Sequence, residues 1–134
     1  CKEATAPYPG IMELLKTLQE HEIPMAIVSN KNDAAVKRLA ADFFEGIISV
    51  AIGERTGVRK KPAPDTVFTA LDELGEHADS AVYVGDSEVD LQTAANSGMD
   101  CISVAWGFKG RAFLEKEGAS HIVDTPEEIL RFLI

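Results

Sequence analysis

Short, uninterrupted apolar runs recur along this 134-residue chain, and helical patterns separate them. Apolar runs that do not alternate with polar residues are typical of parallel strands with helices on both faces. The pattern therefore predicts an α/β fold with a doubly wound, mainly parallel sheet. Strands are predicted at residues 25–29, 47–52, 81–85, 101–105 and 120–123.

The predicted helices carry apolar residues three and four positions apart. The second helix is expected to begin at a cap formed by Asn30 or Asn32. In the third, Pro64 is expected in the first turn, Gly75 at the end, and Phe68 among the inward-facing residues. The other helices are predicted to follow Pro9-Gly10, to cover residues 88–97 and 111–116, and to begin at the capping box Thr125-Pro126-Glu127-Glu128.

Charge and composition limit the classes of partner. The net charge is −9, from 22 acidic and 13 basic residues, which opposes generic binding to nucleic acid or to an anionic membrane. The two cysteines have no metal-ligand spacing, and no apolar stretch is long enough to span a bilayer. We therefore expect a cytoplasmic protein with no nucleic-acid partner and no membrane partner.

Polar residues follow two of the predicted strands, and a lysine lies in a loop between them. In an open α/β sheet, ligands bind beyond the carboxyl ends of the strands. Ser29 and Asn30 end one strand, where hydroxyl and backbone N–H groups suit a phosphoryl oxygen or a plain helix cap. Lys61 precedes Pro62-Ala63-Pro64; the prolines restrict the reach of its ammonium, although a solvated turn explains the same residues.

The segment Val82 to Asp90 runs from an apolar strand through a glycine turn into a helix. It places the carboxylates of Asp86 and Asp90 near one point, with Gly85 and Ser87 in the turn. Mg²⁺ usually takes one or two protein carboxylates and completes its coordination with water and substrate phosphate. The other interpretation is a helix start, because acidic residues favour the N-terminal turn.

Taken in order, strand-Ser-Asn, Lys-Pro-x-Pro and strand-Gly-Asp-Ser-x-x-Asp, these segments resemble the second, third and fourth motifs of the haloacid dehalogenase (HAD) phosphatases. Their spacing, together with Pro7-Tyr8-Pro9-Gly10-Ile11, is similar to the phosphoglycolate phosphatase branch.

The resemblance implies Mg²⁺-dependent hydrolysis of a small phosphate monoester through an aspartyl-phosphate. Ser29, helped by Asn30, would bind the phosphoryl group, and Lys61 would neutralise charge beside it. Asp86 would ligate Mg²⁺ directly, and Asp90 would do so directly or through water. The supporting turn residues would be Gly85 and Ser87. The basic run Arg55, Arg59, Lys60 and Lys61 is either a local steering patch for phosphate or a solvated loop.

One departure from the family is large. The first HAD motif is an apolar strand followed by Asp-x-Asp, which supplies the nucleophile, and Asp-x-Asp does not occur in this sequence. The resemblance places that strand in the middle of the sheet, between the strands that end at Ser29 and Gly85. We therefore expect residues 1–134 to form an incomplete, truncated core, with residues 1–9 returning from an absent cap domain. The chain alone is expected to be inactive.

The expected partners follow from the absence of the first motif and of its strand. They are a small phosphorylated metabolite, and either the missing N-terminal segment or a second copy that associates through exposed sheet edges. Two alternatives stay open. One is a non-catalytic or split-enzyme binding module with the same fold. The other is a receiver-type phosphoacceptor domain, which the order of Lys61-Pro62 before Asp86 and Asp90 disfavours.

Overall fold

The computed structural model describes residues 9–54, 56–107 and 109–133. Helices and parallel strands alternate along most of this part of the chain, as the sequence predicts. In chain order the elements are α1 (Ile11–Glu20), β1 (Ala26–Asn32), α2 (Asp33–Phe44), β2 (Val50–Glu54), α3 (Asp65–Leu74), β3 (Val82–Gly85), α4 (Glu88–Ser97), β4 (Asp100–Val104), α5 (Arg111–Lys116), β5 (Ile122–Val123) and α6 (Pro126–Leu133).

The strands form two parallel sheets. One contains β1 and β2, and the other contains β3, β4 and β5 in that order. Val28 lies opposite Ile52 in the first sheet, and Val84 lies opposite Ile102 in the second. Among the described residues, no ladder of hydrogen bonds joins β1 to β3. The α/β class is therefore confirmed, and the break falls between the two strands where a central strand was expected to be missing.

Helices cover both faces of each sheet, which explains the continuous apolar runs of the strands. Helix α2 packs on one face of the β1–β2 sheet and α3 on the other. Helices α1 and α6 cover one face of the second sheet, and α4 covers the opposite face. Helix α3 joins the two halves, because Ala70 packs against Ile52 of β2 while Leu71 packs in the cluster around Tyr83 of β3.

The facing edges of the two sheets are incompletely buried. None of the residues of β1 is fully buried, although the first four residues of the neighbouring β2 are. On β3, the side chain of Val84 is 44% exposed. Because the strands of a sheet covered on both sides are normally buried, these exposures show that no other described strand pairs with these two edges.

Some predicted boundaries differ from the observed ones. The strand predicted at 47–52 begins only at Val50, because the amides of Ile47 and Ile48 both donate to the carbonyl of Phe44 and close the turn after α2. The first strand extends to Asn32 rather than ending at residue 29. The expectation that Phe68 points inward was wrong: it is 48% exposed.

Residues 1–8, with the segment expected to return from a cap domain, lie outside the described residues. The Lys61-Pro62 peptide bond, for which the general preference favours trans, is cis. In the part of the chain that the structure describes, no helix combines the length and apolarity that crossing a membrane requires.

Candidate active site

The turn between β3 and α4 folds the Asp90 side chain back onto the end of the strand. Ser87 caps α4 by accepting a hydrogen bond from the Asp90 amide at 3.3 Å. A β-carbon at Gly85 would overlap the Asp90 carboxyl group. Gly85 is therefore required because the carboxylate passes directly over its backbone, a packing reason that the sequence pattern alone does not reveal.

Both oxygens of the Asp90 carboxylate already accept hydrogen bonds from the protein. Oδ2 accepts from the Asp86 amide and the Ser87 hydroxyl, each at 3.0 Å. Oδ1 accepts from the Tyr83 hydroxyl at 2.7 Å and from Lys61 Nζ at 2.9 Å. Burial favours a raised pKa for this carboxyl group, but the Lys61 charge and these hydrogen bonds outweigh it and lower the pKa below its ordinary value.

Lys61 forms hydrogen bonds with residues from both halves of the molecule, the β1–β2 half and the β3–β4–β5 half. Its ammonium contacts Tyr83 of β3 and Asp90 of α4, and its side chain is only 14% exposed. Its main chain is held from the other sheet: the Asn30 carboxamide accepts from the Lys61 amide at 2.8 Å and donates to the Lys61 carbonyl at 3.3 Å. The carboxyl-terminal part of β1 thus fixes the backbone of the lysine whose side chain reaches Tyr83 of β3.

Two further contacts hold the loop that carries Lys61. Asn96 of α4 donates to the Pro62 carbonyl at 2.8 Å. At the base of the loop, Arg59 forms a bidentate ion pair with Asp65, and its backbone amide donates to the same carboxylate. Hydrogen bonding and charge from Arg59 lower the pKa of Asp65. Arg59 therefore serves the loop structurally; Lys60 is exposed, and Arg55 of the predicted basic run lies outside the described residues.

Asp86 differs from Asp90 in its surroundings. Within the described residues, no hydrogen bond or ion pair reaches its carboxylate. Gly107, in the loop after β4, lies so close that a β-carbon there would overlap the Asp86 carboxyl group. The loop after β4 therefore packs against the carboxylate, and Asp86 is half-buried.

The donor set fits Mg²⁺ as a shared site rather than as a cage. Among the described residues, no three His, Cys, Asp or Glu side chains converge as a ready-made metal site. Mg²⁺ is commonly held by one or two carboxylates and substrate phosphate, with water at the remaining positions. An unpaired carboxylate at Asp86 meets the protein's share of that requirement.

Ser29 and Asn30 lie in the carboxyl-terminal half of β1, a few residues before α2 begins. The Ser29 hydroxyl oxygen accepts from the Lys31 amide at 3.1 Å, and Asn32 caps α2 by accepting from Ala35 at 2.8 Å. Asn32, rather than Asn30, is thus the cap, because the Asn30 carboxamide is used on Lys61. The structure links Asn30, Lys61 and Asp90 through direct contacts.

Sequence reasoning missed two residues of this site, because Tyr83 and Asn96 received no role. For the segment Trp106-Gly107-Phe108 the sequence left open either a place beside the site or packing against a loop, and Gly107 does lie beside Asp86. A usable signal existed for Tyr83 alone: it is the single residue with a polar tip in an otherwise apolar strand, and buried tyrosine hydroxyls usually find a partner. Asn96 and Gly107 act through contacts with residues distant in sequence.

Comparison with known proteins identifies the family of the chain. A model of the family described as haloacid dehalogenase-like hydrolase matches residues 1–104, which is most of the chain. The chain belongs to this family. It is 32% identical over 133 residues to a phosphoglycolate phosphatase of Pseudomonas savastanoi pv. phaseolicola, covering 96% of this chain and 47% of that protein.

Two other HAD relatives extend the comparison. A phosphoglycolate phosphatase of Aquifex aeolicus is 31% identical over 105 residues, covering 78% of this chain and 49% of that protein. The crystal structure of a putative phosphoglycolate phosphatase from Lactobacillus delbrueckii subsp. bulgaricus superposes with a TM-score of 0.95 and 46% identity, over 100% of this chain and 56% of that one. The chain thus spans about half the length of the relatives that it matches.

Proposed function

We propose that the complete polypeptide hydrolyses a small phosphate monoester in the cytoplasm, with 2-phosphoglycolate as the first candidate. The observation that carries this proposal is the network in which Asn30, Lys61 and Asp90 join the ends of β1 and β3. A largely buried ammonium at Lys61, with the Asp86 carboxylate accepting no hydrogen bond from the described residues, supplies what phosphoryl transfer needs from a protein, namely charge that can be positioned around the phosphoryl oxygens. The names of the relatives support the substrate class.

Each residue has a defined part in the proposal. Ser29 donates its hydroxyl hydrogen to a phosphoryl oxygen, and Asn30 supports it through its backbone and by holding Lys61. Lys61 directs its remaining N–H toward the phosphoryl group and balances its negative charge. Gly85 and Ser87 shape the turn that presents Asp86 and anchors Asp90.

The covalent step requires a nucleophile from outside these 134 residues. A carboxylate oxygen attacks phosphorus, the bond from phosphorus to the ester oxygen breaks, and the departing alkoxide takes a proton from a neighbouring acid. Water then hydrolyses the aspartyl-phosphate and releases inorganic phosphate. Asp86 would hold Mg²⁺, with Asp90 supporting it, and the ion would supply positive charge to the phosphoryl oxygens. Asp86 is the better ligand because both oxygens of Asp90 already accept protein hydrogen bonds.

The same proposal assigns a partner to the gap between the sheets. A single apolar strand, parallel to β1 and β3, would satisfy both unpaired edges and cover Val84. A carboxylate at the carboxyl end of that strand would lie near Lys61, whose ammonium complements it. The partner is therefore a strand supplied by polypeptide outside these residues, with self-association through the same edges as the competing outcome.

The first test uses the complete polypeptide and a panel of small phosphate monoesters, with and without a chelator. We expect Mg²⁺-dependent release of phosphate. Lys61→Ala and Asp86→Ala should each lower kcat by about 100-fold or more, as expected when one positioned charge is removed. The matched controls are Lys16→Ala and Asp72→Ala, which change exposed residues on α1 and α3. A near-normal kcat for Lys61→Ala or Asp86→Ala would contradict the assigned role.

The second test separates a split enzyme from an inert module. The 134-residue chain alone should show no turnover; turnover from a preparation of verified mass would overturn this expectation. A synthetic apolar peptide ending in Asp-x-Asp is then added, with an Asn-x-Asn peptide as the control. Hydrogen exchange should show protection of β1 and β3 by both peptides, and turnover only with the first. Protection without turnover from either would favour the non-catalytic module.

A further inference from the structure

Two oxygens from two different elements hold the Lys61 ammonium. Nζ donates to the Tyr83 hydroxyl oxygen at 3.1 Å and to Asp90 Oδ1 at 2.9 Å. The Tyr83 hydroxyl itself donates to the same Oδ1 at 2.7 Å. The three groups therefore form a closed triangle in which each pair is in direct contact.

The hydrogens of this triangle can be assigned without ambiguity. The Tyr83 hydroxyl has one hydrogen, which it donates in a hydrogen bond to Asp90. The lone pairs of the hydroxyl oxygen therefore face the Lys61 ammonium. The lysine ammonium carries three hydrogens and uses two of them on Tyr83 and Asp90. The third remains for a ligand, and its direction is set by the two anchors together.

The tyrosine ring is itself firmly placed. Tyr83 is 5% exposed and packs with Val67, Leu71 and Ala94 of the surrounding helices. A hydroxyl on a fixed ring is a fixed acceptor, whereas the lysine reaches it through a flexible four-carbon stem. With Asp90 alone, the ammonium could pivot about one oxygen; the second contact removes that freedom.

We infer that Tyr83 is a positioning residue that acts through Lys61, fixing the direction of the free N–H toward the phosphoryl group. The inference rests on the proposed function for its catalytic consequence. Its structural part, the immobilisation of Lys61, is measurable without turnover. Tyr83→Phe is the decisive variant, because it removes only the hydroxyl and retains the ring that packs in the core.

The matched control variant removes a different buried hydroxyl, which lies on helix α4. Thr93 of α4 is fully buried, and its hydroxyl donates to the Val89 carbonyl of its own helix at 2.7 Å, away from Lys61. Thr93→Val therefore loses one buried hydrogen bond without touching the triangle. Circular dichroism establishes that both variants retain the helix content of the parent chain.

The first readout is the rate at which a small acetylating reagent modifies Lys61, followed by peptide mass spectrometry with Lys16 and Lys116 as internal references. In the 134-residue chain, Tyr83→Phe should accelerate acetylation of Lys61 about fivefold, the ratio that corresponds to one hydrogen bond. Thr93→Val should leave that rate unchanged. Equal rates for Tyr83→Phe and the parent chain would overturn the inference.

The second readout is the split between kcat and KM in the complete polypeptide. Tyr83→Phe should lower kcat about tenfold and change KM less than about twofold, because a misdirected charge affects the transition state more than the ground state. Thr93→Val should leave both constants near those of the parent. An unchanged kcat for Tyr83→Phe would contradict the inferred catalytic effect of Tyr83. If the unmutated complete polypeptide shows no turnover, but Tyr83→Phe still accelerates acetylation of Lys61, the proposed function is wrong. The inference that Tyr83 immobilises Lys61 then stands.

Discussion

The two aspartates of the turn after β3 have different environments, and this difference organises the site. Asp90 is 7% exposed and accepts four protein hydrogen bonds, whereas the Asp86 carboxylate accepts none from the described residues. A carboxylate saturated by donors binds a cation less readily than an open one, because its lone pairs are already used. The sequence motif Gly-Asp-Ser-x-x-Asp does not distinguish these two roles.

Two glycines allow the roles of the two carboxylates to be separated by mutation. Gly107→Ala should displace Asp86 and raise the Mg²⁺ concentration for half-maximal activity by about 10 to 100-fold, as for other residues that orient a metal ligand. Gly85→Ala should instead displace Asp90 and free Lys61 for acetylation. Titration of activity with Mg²⁺, together with Lys61 labelling, measures both. An unchanged Mg²⁺ requirement in Gly107→Ala would remove Asp86 from the metal site.

The ion pair at the base of the Lys61 loop gives a prediction about pH. The pKa of Asp65 lies below its ordinary value because Arg59 donates hydrogen bonds to it. Since the folded-state pKa is below the unfolded value of about 3.9, the pair stabilises the fold above that pH, and its contribution is lost as pH falls through the folded-state pKa. As the solution is acidified, a carboxyl NMR titration should show that Asp65 becomes protonated at a lower pH than an ordinary aspartate.

Arg59→Gln should move the Asp65 midpoint back up toward the ordinary value. Arg111→Gln is the control, because Arg111 pairs with Asp124 in a different part of the chain. The interpretation would be wrong if the Asp65 midpoint were the same in Arg59→Gln as in the parent chain.

At the scale of single elements, the sequence predicts helices better than strands. Helix α4 was predicted at residues 88–97, which are its observed bounds, and Gly98 forms its C-cap. Local signals suffice there, because capping residues and glycine define a helix end. The start of β2 was predicted too early. The amides of the apolar residues Ile47 and Ile48 both donate to the Phe44 carbonyl, so these residues belong to the turn after α2.

The site was predictable only as far as each residue acts locally. Lys61 and Asp86 follow from motif order. The engagement of Asn30 with Lys61 crosses 31 positions in sequence, so no local pattern reveals it. Likewise, Phe68 fits an apolar stripe, yet its side of α3 remains half exposed because Thr66 and Ala70 occupy the buried positions.

The N-terminus of α2, beside the proposed phosphoryl site, depends on one cap. Asn32→Ala removes the acceptor for the Ala35 amide and should lower the free energy of unfolding by about 1 kcal/mol. Asn32→Ser retains a capping oxygen and should change it by only a few tenths of a kcal/mol, since serine caps about as well as asparagine. Urea denaturation of the 134-residue chain provides the comparison. Equal losses in both variants would show that the side-chain cap is not the cause.

On the scale of the whole molecule, helix α3 and the Lys61 loop are two of the described features that join the two half-sheets. Helix α3 packs against both sheets, and the Lys61 loop is bonded to Asn30 on one side and to Asn96 and Asp90 on the other. The gap between β1 and β3 separates elements that these contacts already align. The described residues thus leave one edge of β1 and one edge of β3 without a paired strand, and the contacts of Lys61 lie near the carboxyl ends of both strands.

The two unpaired strand edges should also drive association between copies of the chain. Val84 is exposed on the β3 edge, and Phe132 on α6 is an exposed apolar residue of similar exposure, 51%, away from that edge. Charged residues, particularly lysine, protect strand edges against pairing. We therefore expect the parent chain to form concentration-dependent oligomers, Val84→Lys to remain mostly monomeric, and Phe132→Lys to associate like the parent. Light scattering coupled to size-exclusion chromatography measures this; a parent chain that stays monomeric at high concentration, or equal loss of association in both variants, would exclude the β3 edge as the contact.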